Sequence, residues 1–343
     1  MEGRLVTTIA FLGLAFAPAH AQDPGALPRY QPQQPVTGVI RSWGHGYLRA
    51  MMGYWEEGFR KFHPDVRFED TLVSSAAAMA GLYSDRADIG VLAREITLPE
   101  IAAYEKMTRQ KVFAVTVLTG SYGNPDKIMA LGVFVNKDNP ISKLSFKQLD
   151  AIFGAEHRRG APQDVRRWGQ LEAGGEWNEQ AIHPYSGLAF EAPGAFFSNT
   201  VMNGSVLWNC GLHQFQDIAV PGGKDIDGYQ EVVNAVGSDR LGIGIAGAGY
   251  VGRNPSVKLL ALARDDDGPY VEATKENVAN LTYPLSRRVN FYIHHGAARP
   301  ADPRVIEFLR YVVSREGQQQ VLREGDFMPL TAEVARKELG KLQ

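Results

Sequence analysis

Apolar positions recur along the chain with two periods. Leu48, Met51, Met52, Trp55, Phe59 and Phe62 fall at i, i+3, i+4, i+7, i+11 and i+14. That is the single stripe of an amphipathic helix, and Pro64 ends it. Short β-type runs flank it, at 36–40 before and 66–68 after. The alternation continues. A helix follows Val73-Ser74-Ser75-Ala76 and runs through Leu82 and Tyr83. Ala87 to Leu92 is a strand, Pro99 to Met107 a helix, and Phe113–Leu118 and Met129–Val135 are strands. Ser145 and Gln148 form a capping-box pattern opening a helix with Leu149, Ile152 and Phe153. Residues 161–175 are polar and Gly-rich and read as a loop. A helix spans about Gly194–Met202. Leu241–Val251, Val257–Leu262 and Val289–His295 read as strands, and Ile306, Leu309 and Val313 mark a late helix. Strands alternating with helices predict an α/β architecture.

The N-terminus carries a different pattern. Arg4 precedes an apolar stretch, Leu5 to Pro18, and Ala19-His20-Ala21 is an A-x-A cleavage pattern. Residues 1–21 therefore read as a secretory signal peptide cut after Ala21. The apolar run falls short of the ~18–20 residues that span a bilayer, and no later segment is long and apolar enough to do so. Residues 22–35 are rich in Pro and Gln and read as a flexible leader.

Composition narrows the function. The 343 residues are 44% hydrophobic and 22% charged, which suits a globular chain and excludes a disordered one. Lys plus Arg is 36 against 38 Asp plus Glu, a net charge of −2, so no electrostatic footprint for nucleic acid or a membrane surface exists. Cys210 is the one cysteine and has no intrachain partner for a disulfide.

Motifs for chemistry are few. Gly242, Gly244 and Gly247 spell G-x-G-x-x-G, but the next strand begins near Val257, leaving no room for a crossover helix. His294 and His295 are adjacent in a strand and point to opposite faces, so they do not jointly chelate a metal. Asp265-Asp266-Asp267 reads as a solvated turn. No nucleophile elbow or P-loop is present. No cofactor, metal site or catalytic residue is expected, and the chain does not read as an enzyme. The turn from Ser42 to Tyr47 is different. It joins a strand to a helix and contains Gly44 and Gly46, so backbone N–H groups and the helix dipole there suit an anion.

Several phrases in order resemble the phosphate-binding protein of bacterial phosphate-specific ABC importers, a type II periplasmic binding protein. They are Ser42 before the Trp55/Phe59 helix, Ala87-Asp88-Ile89-Gly90 with Ala93-Arg94-Glu95, and Val133 through Ile141. Leu144 through Leu149, Ile152-Phe153 before Trp168-Gly169, Tyr283 through Arg287, Ser314 through Gln318 and Met328-Pro329-Leu330 follow. The resemblance covers roughly residues 37–332. It implies a two-lobed α/β fold with two crossover strands and a ligand cleft. Lobe I would be residues 36–128 plus 284–343 and lobe II residues 129–283.

The resemblance also implies a site. Ser42 stands at a ligand-binding Ser position, with Gly44 where the family has Thr. Ser75 matches a second ligand-binding Ser, and Asp88 matches the Asp that accepts a hydrogen bond from protonated phosphate. In lobe II, Gly187 stands where the family has Arg, and Glu191-Ala192-Pro193 where it has Ser-Gly-Thr. Tyr185 and Ser186 are the hydroxyls available instead, and His45, with Arg41, Arg49 or Arg94, the source of positive charge. The ligand-binding set is thus Ser42, Gly44, His45, Ser75, Asp88, Tyr185 and Ser186. The implied function is that of a periplasmic, monomeric solute-binding protein. It would capture phosphate or another small oxyanion between its lobes and deliver it to an inner-membrane ABC permease. The alternatives are a degenerate module that contacts a protein partner, a sensor or envelope component, and an exported phosphatase.

Overall fold

The computed structural model describes residues 24–343 apart from 125–126 and 297–298, so the signal-peptide assignment at residues 1–21 lies outside the described residues. The chain opens with β1 (Gly38–Gly44), α1 (Arg49–Arg60), β2 (Val66–Leu72), α2 (Ser75–Tyr83), β3 (Ile89–Val91), α3 (Leu98–Thr108) and β4 (Phe113–Thr119). It then builds β5 (Leu131–Asn136), β6 (Lys143–Ser145), α4 (Phe146–Phe153), β7 (His183–Gly187), α5 (Ala192–Thr200), β8 (His213–Phe215) and α6 (Gly228–Ser238). β9 (Gly242–Gly247), α7 (Ala248–Val251), β10 (Val257–Leu259), β11 (Ala261–Ala263) and α8 (Lys275–Ala279) follow. It returns through β12 (Arg288–Ile293) and ends with α9 (Pro303–Val312), α10 (Arg315–Glu324) and α11 (Ala332–Gly340).

Two five-stranded sheets result, in the orders β2-β1-β3-β12-β4 and β10-β5-β9-β7-β8, with β11 and β6 as a separate pair. In the first, β1 runs parallel to β2 and β3, while β12 is antiparallel to β3 and β4. In the second, β7 runs parallel to β8 and β9, and β5 is antiparallel to β9. The chain is the expected α/β fold with two sheets. The C-terminal ends of β1, β2 and β3 and the start of β12 share one end of the first sheet. Open α/β sheets bind ligands beyond that end.

Each sheet has its own core. Met51, Met52, Trp55 and Phe59 of α1 are all fully buried, and the Trp55 indole N–H donates to the Gly317 carbonyl at 2.9 Å. Phe62, the last residue of the predicted stripe, lies beyond the end of α1 and is 40% exposed. The second core gathers Phe146, Ile152, Phe153, Trp168, Phe197 and Ile245.

The leader departs from expectation. Leu27 and Tyr30 are buried in the first core, and the Pro28 carbonyl accepts from the Arg315 N–H at 2.9 Å. The Tyr30 hydroxyl donates to Glu307 Oε2 at 2.7 Å and lies 2.7 Å from His63 Nε2. Two large side chains anchor a stretch whose average composition suggested freedom. The glycines of β9 serve packing. A Cβ on Gly244 would meet the Phe134 ring at 2.5 Å, and one on Gly247 would meet Met129 at 2.4 Å. Among the described residues no helix is long and apolar enough to cross a membrane.

Candidate functional site

Three strand ends are knotted together on the first sheet. The Ser74 N–H donates to the Gly44 carbonyl at 2.8 Å, and the His45 N–H to the Val91 carbonyl at 3.1 Å. A Cβ on Gly44 would lie 1.9 Å from that Val91 oxygen, so only glycine allows β1 and β3 to approach here. Ser74 caps α2 by accepting from the Ala76 N–H. Ser75, the first residue of α2, is buried, and its Oγ accepts from the Ala93 N–H at 3.1 Å. His45 Nδ1 accepts from the Tyr47 N–H at 3.1 Å. Burial, and the nearby Arg94 charge, hold this imidazole below its ordinary pKa. Arg94 itself is forked onto Glu100 at 2.7 and 2.8 Å.

Arg287 stands just before β12, at the same end of the sheet. Its Nε and Nη2 donate to the two oxygens of Glu95 at 3.0 and 2.8 Å, and its guanidinium lies 5.2 Å from the Phe196 ring centre in the second sheet's layer. Its carbonyl accepts from the Gly120 N–H at 3.0 Å. Nearby, Lys127 Nζ pairs with Glu324 at 3.1 Å and donates to the Tyr47 carbonyl at 3.3 Å.

Opposite them stand the ends of β7 and β9. A cavity of about 70 Å³ is lined by Lys127, Met129, Leu131, Pro193, Tyr229, Gly247, Tyr250 and Arg287. The Tyr250 hydroxyl donates to Asp227 at 2.6 Å. The Tyr229 hydroxyl makes a long contact, 3.5 Å, with Glu191 Oε2. Glu191 is the N-cap residue of α5, yet its side chain makes no cap bond. Burial and the neighbouring Asp217 charge raise its pKa above the usual carboxylate range. Burial and the Glu191 charge likewise raise that of Tyr229. Arg287 and Lys127 offer cationic donors, the tyrosines offer hydroxyl and ring surface, and Glu191 offers a carboxylate acceptor.

The predicted residues divide. Gly44, His45 and Ser75 stand at the strand ends beside this cleft. Ser42 is fully buried, shares the core-facing side of β1 with Ile40 and lies in register with Asp70. Asp88 is a correction. Its N–H bonds the Arg41 carbonyl, opposite Arg41 and three residues short of Gly44, about 10 Å back from the strand end at 3.3 Å per residue. There it takes the Arg41 guanidinium at 2.8 and 3.1 Å and the Arg41 N–H at 2.9 Å. Tyr185 is a second correction. Its hydroxyl donates to Asp239, before the start of β9 and away from the strand ends. Ser186 is 2% exposed within β7 and is closed off from the cleft. At Gly187 a Cβ would meet the Tyr229 ring at 2.5 Å, so that ring fills the space an arginine would need. Arg41 is spent on Asp88, Arg49 donates to the Leu72 carbonyl at 2.7 Å, and Arg94 is spent on Glu100. Sequence reasoning missed Arg287, Glu95, Lys127, Tyr229 and Tyr250 as cleft residues. Arg287 and Glu95 were visible only as parts of ordered phrases.

The comparisons with known proteins agree on the fold. The PBP superfamily domain matches residues 31–316. The phosphate-binding protein PstS of Pseudomonas aeruginosa is 32% identical over 341 residues, spanning 99% of this chain and 98% of that protein. The crystal structure of PstS from Borrelia burgdorferi superposes with a TM-score of 0.59 at 14% identity, covering 85% of this chain and 99% of that one. An ABC-type phosphate transport receptor from Vibrio cholerae superposes with a TM-score of 0.53 at 20% identity, covering 84% and 100%. The two structures establish the two-sheet architecture. The domain match and the end-to-end relative establish kinship: this chain belongs to the PBP superfamily, alongside the phosphate-binding protein PstS of Pseudomonas aeruginosa.

Proposed function

We propose that this protein is the solute-binding component of a phosphate-type ABC importer. The observation that carries the reading is the alignment with the Pseudomonas phosphate-binding protein PstS along nearly the whole of both chains. Export through residues 1–21 would place it in the periplasm. Lobe I, residues 36–128 plus 284–343, and lobe II, residues 129–283, would close on a solute bearing phosphate or another small oxyanion. Gly44, His45, Ser75, Arg287 and Lys127 would meet that group from the lobe I side and the crossover. Contacts from both lobes favour the closed state, and a membrane permease recognises it. The named relatives are binding proteins, and the reading assigns binding without chemistry.

A second reading has one specific observation behind it. Phe190 is 81% exposed at the β7–α5 turn and Val73 is 71% exposed at the β2–α2 turn. Apolar tips on both rims of the cleft suit a protein partner. Calorimetry on the chain from Gln22, freed of bound solute by unfolding and refolding, separates the two. Saturable heat with inorganic phosphate and little with sulfate supports the importer. Absence of heat with every small acid tried, with capture of one envelope protein in its place, overturns it.

A further inference from the structure

The charges around the cleft do not match those a bare, multiply charged oxyanion needs. Both cations that line the cavity are already neutralised, Arg287 by Glu95 and Lys127 by Glu324. What Arg287 keeps is Nη1, which carries no hydrogen bond among the described residues. Around the tyrosines that line the cavity, the acidic residues differ in how well they are satisfied. Asp227 accepts from the Tyr250 hydroxyl and from the N–H groups of Tyr229 and Gln230. Asp217 accepts from the Gly228 N–H at 2.8 Å. Among the described residues Glu191 has only the 3.5 Å contact with Tyr229 and no cap bond, so of these three it is the carboxylate left short of donors. Tyr229 stands close to both groups: its hydroxyl contacts Glu191, and it lines the same cavity as Arg287. Between them the walls are apolar or aromatic: Met129, Leu131, Pro193 and Tyr250. A second anion beside Glu191 is repelled, whereas an ammonium supplies the missing donors and a compensating charge.

We propose that the cleft selects a small organic acid that also carries a protonated amine, with the acid group on Arg287 Nη1 and the ammonium on Glu191. The inference rests on the importer reading and narrows its solute. Short alkyl carbons between the two charged groups would lie against Tyr229, Met129 and Leu131. The acid is either a phosphonate or a carboxylate, and the test separates these sources.

Four probes are titrated into the wild-type chain and into Glu191→Gln at neutral pH: 2-aminoethylphosphonate, its amine-free isostere propylphosphonate, β-alanine and inorganic phosphate. Because the Glu191 side chain makes no cap bond, Glu191→Gln keeps the start of α5, which equal thermal midpoints check. The expected result is that one amine-bearing acid binds the wild type at least tenfold more tightly than propylphosphonate. In Glu191→Gln that preference falls to about twofold or less. Binding by only one of the two amine-bearing acids identifies the acid group. Equal binding of the isostere, or a preference that survives Glu191→Gln, overturns the assignment of Glu191. Tight inorganic phosphate with no amine-bearing acid bound overturns this inference and leaves the importer reading standing. Silence from all four probes overturns this inference, and the importer reading falls with it only if an envelope protein is captured in their place.

Discussion

Arg287 clasps Glu95 with two parallel hydrogen bonds, 3.0 and 2.8 Å long, across 192 positions of sequence. The arginine side chain is only 4% exposed and the glutamate side chain 27%. The pair fastens the β3–α3 turn to the crossover strand that returns from the second sheet. It therefore sets both the shape of the cleft and how much positive charge remains there.

Breaking this pair should be costly. Removing one member of a fully buried pair costs about 3–5 kcal/mol, and the partial exposure of Glu95 should reduce this to about 2 kcal/mol. Arg287→Met and Glu95→Gln should each lower the urea midpoint to that extent. The double variant should lose clearly less than the sum. Arg287→Lys should not restore the stability, since an ammonium lacks the fork that meets both carboxylate oxygens. Simple additivity of the two losses would show that the clasp contributes nothing of its own.

Gly44 gives a steric prediction. With a Cβ placed 1.9 Å from the Val91 carbonyl oxygen, Gly44→Ala has to push β1 and β3 apart at the strand ends. The loss should reach about 3 kcal/mol or more, in the range of severe overpacking. Gly53, on the exposed face of α1 with nothing near its would-be Cβ, is the control. Gly53→Ala should be stabilising by about 0.5–1 kcal/mol, the helix preference of alanine over glycine. Chemical denaturation of both variants tests the contrast.

The architecture was readable because it rests on local periodicity. The α1 stripe carries its 3.6-residue period openly, and the Ser145–Gln148 capping box forms as spelled, with both reciprocal bonds present. Of the proposed ligand-binding positions, Gly44, His45 and Ser75 are the ones that stand at strand ends. Asp88 misled because a strand phrase does not say which end of the strand faces the cleft. The register of β1 against β3 places it at Arg41, and this pairing depends on tertiary packing. Arg287, Glu95, Tyr229 and Glu191 come from four separate segments, and nothing local in the sequence joins them. The leader misled for a related reason. Its Pro and Gln content describes the average residue there, while Leu27 and Tyr30 do the anchoring.

That anchoring can be measured. Tyr30→Phe removes the hydroxyl that serves both Glu307 and His63, leaving Glu307, which is 1% exposed, short of a donor. The loss should be about 1–3 kcal/mol, the range for a buried acceptor deprived of its partner. A chain beginning at Val36 should melt well below one beginning at Gln22, because it also gives up the burial of Leu27. Equal melting of the two chains would return residues 22–35 to the status of a loose leader.

Glu56 gives a pH dependence. Burial, reinforced by the neighbouring Asp70 carboxylate and opposed by Arg60, pushes its pKa from an ordinary 4.5 up to about 8. The folded protein therefore keeps a proton that the unfolded chain releases. Between pH 4.5 and 8 the folded state binds more protons, so this group's contribution to stability falls as pH rises and levels off above 8. Glu56→Gln cannot titrate. Relative to wild type it should gain stability steadily over that window and hold the gain at higher pH. Urea midpoints at pH 5, 7 and 9 give the comparison, and a constant offset between the two proteins would exclude Glu56 as the titrating group.

The Tyr229 ring occupies the volume beside Gly187, and this explains why β7 carries no side chain there. A methyl at 187 meets Tyr229 Cε1 and Cζ at 2.5 Å each. The ring is half-buried, so a shift of the ring relieves the conflict at moderate cost. Gly187→Ala should therefore destabilise the wild type by about 1–2 kcal/mol, within the range for overpacking. In a Tyr229→Ala background the same change meets no ring and should cost less than about 0.5 kcal/mol. The difference is the interaction between the two positions. A Gly187→Ala penalty that persists without the ring would place the conflict in the backbone of β7. A penalty that vanishes shows that Tyr229 took over the space, so that adding an arginine at 187 cannot by itself create an anion site until the tyrosine is removed.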